Sequence, residues 1–200
     1  MTESVSAEGN GEDLLAREIL TRDLRCVTFA EEHISDRYLA WLNDPEVNRY
    51  SRRRFVRTSE TEARSFLAGL SPANQMLALT LRASGRHIGN LQLGPIDRHE
   101  SHGEVRILIG EKSEWGRGYG TQAIHAACSF YFQALQLHRV EAMSCNPGFI
   151  RAVERLGWIK EGCLRERFLL DGRRLNYQCF SLLRREFIPT ATLQVKEVAC

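Results

Sequence analysis

The chain has 200 residues and a mass of 22.9 kDa, with 43% hydrophobic, 26% charged and 8% aromatic residues. A chain of this length forms about one compact domain and buries roughly 70% of its extended surface, so it needs no metal or disulfide staple, and wholesale disorder is excluded. A net charge of +2 argues against a broad polynucleotide face, and no DNA partner is expected.

The basic residues are uneven: 24 of the 27 are arginine. Genomic bias is the plain explanation; a taste for oxyanions, which the guanidinium fork grips bidentately, is the functional one. The six cysteines include no Cys-x-x-Cys, and no secretory core or apolar run near membrane-spanning length is present. Reduced thiols in a cytoplasmic protein, with no membrane partner, are the expectation. His99 and His102 lack a second ligand pair at finger-like spacing, so no metal is expected.

Residues 1–16 are polar and acidic and read as a mobile leader. The domain is expected over 17–187, with 188–200 as a C-terminal tail beginning at the interruption by Pro189. Residues 19–29 read as one extended segment. Ile34, Tyr38, Leu39 and Leu42 then fall at helical spacing, ending before Asn43-Asp44-Pro45. A second helix opens at Ser59, where Ser-x-x-Glu to Glu62 forms a capping box. Met76–Leu81 and Ile88–Leu93 flank Ser84-Gly85-Arg86 as a hairpin, and Val105–Ile109 is a further strand. A helix is predicted from about 120 to 136, a strand over Arg139–Ser144, and a short helix over Gly148–Leu156 closed by Gly157. Two last strands, near 158–169 and 174–184, turn at Asp171-Gly172. This order is mixed α/β.

The most informative stretch runs from Ile107 through Trp115-Gly116-Arg117-Gly118-Tyr119-Gly120-Thr121 to Ala123. It reads as strand, glycine-rich turn and helix N-terminus. Glycines at alternate positions let backbone N–H groups approach a ligand, and the helix dipole adds positive potential there, which suits a diphosphate. A flexible connector would use the same glycines. Gly118-x-Gly120-x-x-Ala123 also matches a dinucleotide fingerprint, with Glu141 some way on. Against that, the loop between strand and first glycine is too long, and Glu141 lies inside a predicted strand.

The stretch Trp115–Ala123 resembles the acyl-CoA pyrophosphate loop of the GNAT superfamily of N-acetyltransferases, in the branch containing the ribosomal-protein N-terminal acetyltransferases. Tyr38-Leu-Ala-Trp41-Leu-Asn-Asp-Pro-Glu-Val47 is similar to that branch's first-helix motif. Asn146–Trp158 resembles its second acyl-CoA element, and Glu161–Glu166 with Phe168–Arg173 its closing hairpin.

The resemblance implies a single GNAT-like domain whose mixed, mostly antiparallel sheet is split around the acyl-CoA site and flanked by helices. It implies acetyl-CoA as the acyl-donor cosubstrate. The implied contacts are Leu108, Ile109 and Gly110 on the strand, Trp115, Gly116, Arg117, Gly118, Tyr119, Gly120 and Thr121 in the loop, and Asn146, Ile150 and Arg151 on the following helix. A helix cap is the plain role for Asn146.

The implied reaction is direct acetyl transfer to a primary amine, a protein N-terminus or an amino sugar or other small amine. A homodimer is compatible with the resemblance. Glu104 resembles the branch's strand carboxylate and is the expected base, with a solvated strand-end charge as its alternative; His99, Glu100 and His102 are weaker candidates. Many family members carry a Tyr where this chain has Val153, which leaves a non-catalytic acyl-CoA-binding module as a second reading. Cys145 is expected to be a buried structural thiol. Trp41 and the arginines Arg52, Arg53 and Arg54, within a run that includes Arg49 and Arg57, fall on the acceptor side. They grip an anionic acceptor or form a solvated face.

Overall fold

Thr21, Arg22 and Asp23 break the first extended segment into two strands, β1 (Glu18–Leu20) and β2 (Leu24–Thr28). Thr21 closes the turn twice: its amide donates to the Leu24 carbonyl at 2.9 Å, and its hydroxyl accepts from the Leu24 amide at 2.9 Å. This computed structural model describes residues 18–189 and the backbone of 194–195. The leader expected over 1–16 lies outside the described residues, as does much of the tail.

The elements that follow are α1 (Asp36–Asn43), α2 (Glu60–Ala68), β3 (Gln75–Leu81), β4 (His87–Asp97), β5 (His102–Ile109), α3 (Tyr119–Ser129), β6 (Arg139–Ser144), α4 (Pro147–Arg155), β7 (Ile159–Leu170), β8 (Arg173–Leu183) and β9 (Gln194–Val195). The capping box at Ser59 is present, each partner satisfying the other's backbone N–H. Asp171 and Gly172 adopt φ of 49° and 75°, the left-handed pair that a two-residue hairpin requires.

The predicted helix over 120–136 departs from α geometry after Ser129. Phe130–Ala134 forms a π-helical turn in which the Leu135 amide reaches back five residues to the Phe130 carbonyl. Phe130, Tyr131 and Phe132 are all buried there.

The strands form one sheet in the order β7-β8-β6-β5-β4-β3-β2-β1-β9. β5 and β6 are parallel; the other neighbours are antiparallel. The main core lies between one sheet face and α3 and α4 and includes Leu77, Leu79, Val105, Ile124 and Val153. A second core under α1 and α2 holds Phe29, Tyr38, Trp41, Leu42, Met76 and Ala78. Both faces of β3 are covered, which explains why its apolar run does not alternate.

One feature of this architecture positions the site. β5 and β6 pair only at His102/Arg139, Gly103/Val140 and Glu104/Glu141. Beyond Glu104 the two strands part, and the sheet opens into a gap.

The second core carries a pH-sensitive group. The His87 ring sits among Phe29, His33, Tyr38 and Trp41, at centroid separations of 6.3, 5.4, 6.3 and 5.0 Å. Burial, and then the neighbouring His33, push its pKa down to about 4. The unfolded chain's imidazole takes up a proton below about pH 6.5, while the folded one stays neutral nearly to pH 4. This contribution to stability is therefore complete above pH 6.5 and is lost as pH falls through that window, by about 3 kcal/mol at most. Urea unfolding at pH 7 and pH 4.5 is expected to show a loss that His87→Gln reduces. An equal loss in both proteins would assign the pH dependence elsewhere.

Candidate active site

The gap has one wall of strand backbone. The amides of Gly110 and Glu111 both donate to the Ile88 carbonyl of β4, at 2.9 and 3.0 Å. Backbone polar groups alternate along a strand, so Leu108 also faces β4, while Ile107 and Ile109 turn theirs to the gap. The Trp115 indole confirms the direction: its Nε1 donates to the Ile109 carbonyl at 2.8 Å. Of the three strand residues expected at the cofactor, Ile109 has its backbone in the gap. Leu108 sends its side chain to the second core instead.

Gly110 serves close packing. A Cβ there would lie 2.1 Å from Cδ2 of Trp41. Trp41 is 6% exposed and belongs to the second core. What the structure gives Trp41 is therefore a packing role, covering the end of β5, and not an open acceptor surface.

The glycine loop is tethered on several sides. Glu114 is buried and ion-paired with Arg86 from the β3–β4 turn and with Arg117 at 3.3 Å. Lys112 pairs with Asp44 at 3.0 Å and Glu46 at 2.9 Å, just past α1. Gly116 and Gly118 hold φ of +79° and +81°, conformations that L side chains resist.

α3 then begins with Gly118 as its N-cap, without a side-chain cap, and its first helical bond runs from the Gln122 amide to the Gly118 carbonyl. The amides of Gly118, Tyr119, Gly120 and Thr121 precede that bond and are available to an anion. The glycine-rich loop is thus held in place by ion pairs that local spacing does not reveal.

Across the gap, Asn146 caps α4, its Oδ1 accepting from the Gly148 amide at 2.8 Å. Its plain role is the observed one. Ile150 packs against the main core and Arg151 is exposed on the same helix. Val153 is fully buried and serves packing alone. Cys145 is 8% exposed, and burial pushes its thiol pKa up, which suits an inert thiol.

Glu104 forms the last β5–β6 pair before the gap opens. Val105 packs into the main core, so Glu104 points to the opposite face, the one that carries α1. Its carboxylate accepts from Arg106, and its backbone carbonyl from the Tyr131 hydroxyl. Glu141 sits beside it in register, held by Arg139 at 3.1 Å and 4.0 Å from His102 Nδ1. The sequence offered Glu141 only as the acidic residue of the dinucleotide fingerprint, with its place inside a strand against that role; the parallel register alone reveals a carboxylate pair. That placement, midway along the sheet, also removes the dinucleotide reading.

The structure separates the expected arginines. Arg53 lies over Phe66 of α2 at 5.7 Å. Arg49 pairs with Asp171 at 2.6 Å. Arg52 and Arg54 line a pocket against the β7–β8 hairpin, with Arg167, Arg174 and Tyr177, none of which the sequence reading placed there. Among the described residues no group of three His, Cys, Asp or Glu side chains is placed to hold a metal, and no helix is long and apolar enough to cross a membrane.

A family model described as the acetyltransferase (GNAT) domain matches residues 23–159. An uncharacterised N-acetyltransferase, p20, of Bacillus licheniformis is 26% identical over 152 residues, covering 72% of this chain and 84% of the relative. The crystal structure of a spermidine N-acetyltransferase from Vibrio cholerae, in complex with CoA and spermine, superposes with a TM-score of 0.72 at 20% identity, over 82% of this chain and 96% of the other. A ribosomal L7/L12 α-N-protein acetyltransferase in complex with CoA gives 0.71 at 16% identity, over 82% and 95%. The two structural likenesses speak for the fold.

Proposed function

This chain belongs to the GNAT acetyltransferase family, and from that premise we propose that it transfers acetyl directly from acetyl-CoA to a primary amine. The observation that carries the proposal is the pairing of a free-amide helix N-terminus at Gly118–Thr121 with a sheet gap lined by the backbone of Ile107 and Ile109. The first suits a diphosphate. The second offers strand-like hydrogen bonds to an extended arm carrying amides. Arg117, and Asn146 with Ile150 and Arg151 on α4, are assigned to the same ligand as further contacts on the strength of the family resemblance.

In the proposed reaction the amine nitrogen attacks the thioester carbonyl carbon, the C–S bond breaks, and the amine's proton passes to Glu104 or to a water that it anchors. An amine must be deprotonated first, because ammonium has no lone pair, and free amines titrate near 8 to 10.4. The Ile107 and Ile109 amides are the donors placed to meet charge developing on the carbonyl oxygen. With Val153 buried, solvent protonates the departing thiolate, whose acidity is about that of free cysteine, near 8.5. The motifs around Trp115 and Trp41 favour the ribosomal-protein branch, and hence a protein N-terminus among the acceptors.

The test is thiol release from acetyl-CoA against a panel of amines, with the acetylated product identified by mass spectrometry. Transfer to at least one amine is expected. Saturable acetyl-CoA binding with no transfer to any amine would favour an acyl-CoA-binding module instead.

A further inference from the structure

We propose that the pocket between the Arg52–Phe55 turn and the β7–β8 hairpin binds an anionic group, phosphate or carboxylate, carried by the amine acceptor; its assignment to the acceptor rests on the acetyl-transfer reading above. The pocket has a volume of about 310 Å³ and collects Arg52, Arg54, Arg167 and Arg174 around the rings of Phe168 and Tyr177. These side chains come from segments more than a hundred residues apart in sequence, so no local charge run explains their convergence.

Several of the chain's arginines are neutralised by an acidic partner. Arg25, Arg64, Arg86, Arg106 and Arg139 each meet a carboxylate. Among the described residues, none of the four pocket arginines does, and Asp171 at the hairpin turn is held by Arg49. Four arginines lining one cavity bring like charges together, and an anion bound there relieves their mutual repulsion while gaining charge-assisted hydrogen bonds.

Arg54 is already oriented. It is stacked between Phe55 and Phe168, at 4.1 and 4.0 Å, and donates to the carbonyls of Ser51 and Leu169. Little rotamer entropy remains to be lost on binding.

Position ties the pocket to the chemistry. Phe168 and Tyr177 pack with Cys145, immediately beyond the end of β6. On β8, Ser181 pairs with Glu141 and Cys179 with Met143, so alternation puts Tyr177 on the face shared by Glu141 and Glu104. Tyr177, in one wall of the pocket, therefore shares the sheet face that bears Glu104. An acceptor with an amine at one end and an anion at the other fits this arrangement, whereas a polyamine is repelled.

The test compares matched amines, ethanolamine with phosphoethanolamine and β-alaninamide with β-alanine, alongside spermidine, on wild type and on the double variant Arg167→Gln, Arg174→Gln. Wild type is expected to show a KM at least about tenfold lower for an anionic member than for its neutral partner, the size of one charge-assisted contact. The double variant is expected to erase that preference without raising the KM for acetyl-CoA. The phosphate and carboxylate pairs distinguish the two sources of anion.

A second readout does not depend on transfer. Inorganic phosphate and acetate are titrated calorimetrically into CoA-saturated protein, so that the α3 cradle is filled. Saturable heat with either anion in wild type, lost in the variant, supports the pocket. Should the double variant fail to fold, Arg52→Gln carries the same readouts.

Equal use of neutral and anionic amines by wild type, or a preference for spermidine, with no saturable anion binding, overturns the proposal and leaves acetyl transfer standing. If no amine is acetylated, the reaction falls, and calorimetry alone decides whether the pocket holds an anion.

Discussion

Replacing Glu104 with Gln is expected to lower turnover by about 10²–10⁴-fold at neutral pH while acetyl-CoA binds as before. The amide keeps the shape and the contact with Arg106 but cannot take a proton. Two positions in the fold motivate the choice: Glu104 is the last residue paired across β5 and β6, and it points to the sheet face that carries α1. The defect should shrink as pH approaches the acceptor's own pKa, because free amine then accumulates without help. Steady-state rates over a pH series, with acetyl-CoA affinity measured separately, check this. Full turnover by the variant at every pH would make Glu104 a strand-end charge neutralised by Arg106.

The second large effect concerns ligand-linked stability. Acetyl-CoA at 100 times its dissociation constant should stabilise the wild-type fold by about 2.7 kcal/mol, and Gly118→Val should lose nearly all of that gain. No atom lies within 4 Å of where the new Cβ would stand, so the effect does not come from a clash inside the protein. It comes from φ of +81°, which a β-branched residue resists by about 1–2 kcal/mol or more, and from a side chain standing where a diphosphate must touch backbone.

Unfolding curves of both proteins, with and without acetyl-CoA, separate the two contributions. The ligand-free variant shows the strain alone. Undiminished stabilisation of the variant would remove the cradle from the binding site. Equal stabilisation of wild type by a nicotinamide dinucleotide would reinstate the fingerprint reading of Gly118-x-Gly120-x-x-Ala123.

Features set by neighbouring residues were legible in the chain itself. Ser59 and Glu62 cap α2 because each side chain reaches a backbone N–H three residues away. Asp171-Gly172 turns β7 into β8, and Gly157 follows α4 with φ of +79°, because few residue types accept left-handed backbone. Arg139–Ser144 is the strand predicted, residue for residue. The glycine-rich turn lies, as read, between β5 and the N-terminus of α3, and the order of the motifs carried the family.

What the linear pattern did not contain is the outcome of pairing between distant segments. The break at Thr21–Asp23 depends on two hydrogen bonds that an apolar count does not register. Burial of Phe130, Tyr131 and Phe132 is accompanied by a π turn where helical period predicted a continuous α-helix. Trp41 read as an acceptor contact from its motif, and packing against Gly110 made it core. Glu141 stands beside Glu104 only because β5 and β6 run parallel for three residues and then part. The arginines of 52–54 looked like one patch, yet Arg53 goes to α2 while Arg52 and Arg54 join Arg167 and Arg174. Local backbone preference acts over a few residues and is written in them. Register and sidedness come from burial shared across the whole sheet, and a one-residue shift reverses which face each side chain meets.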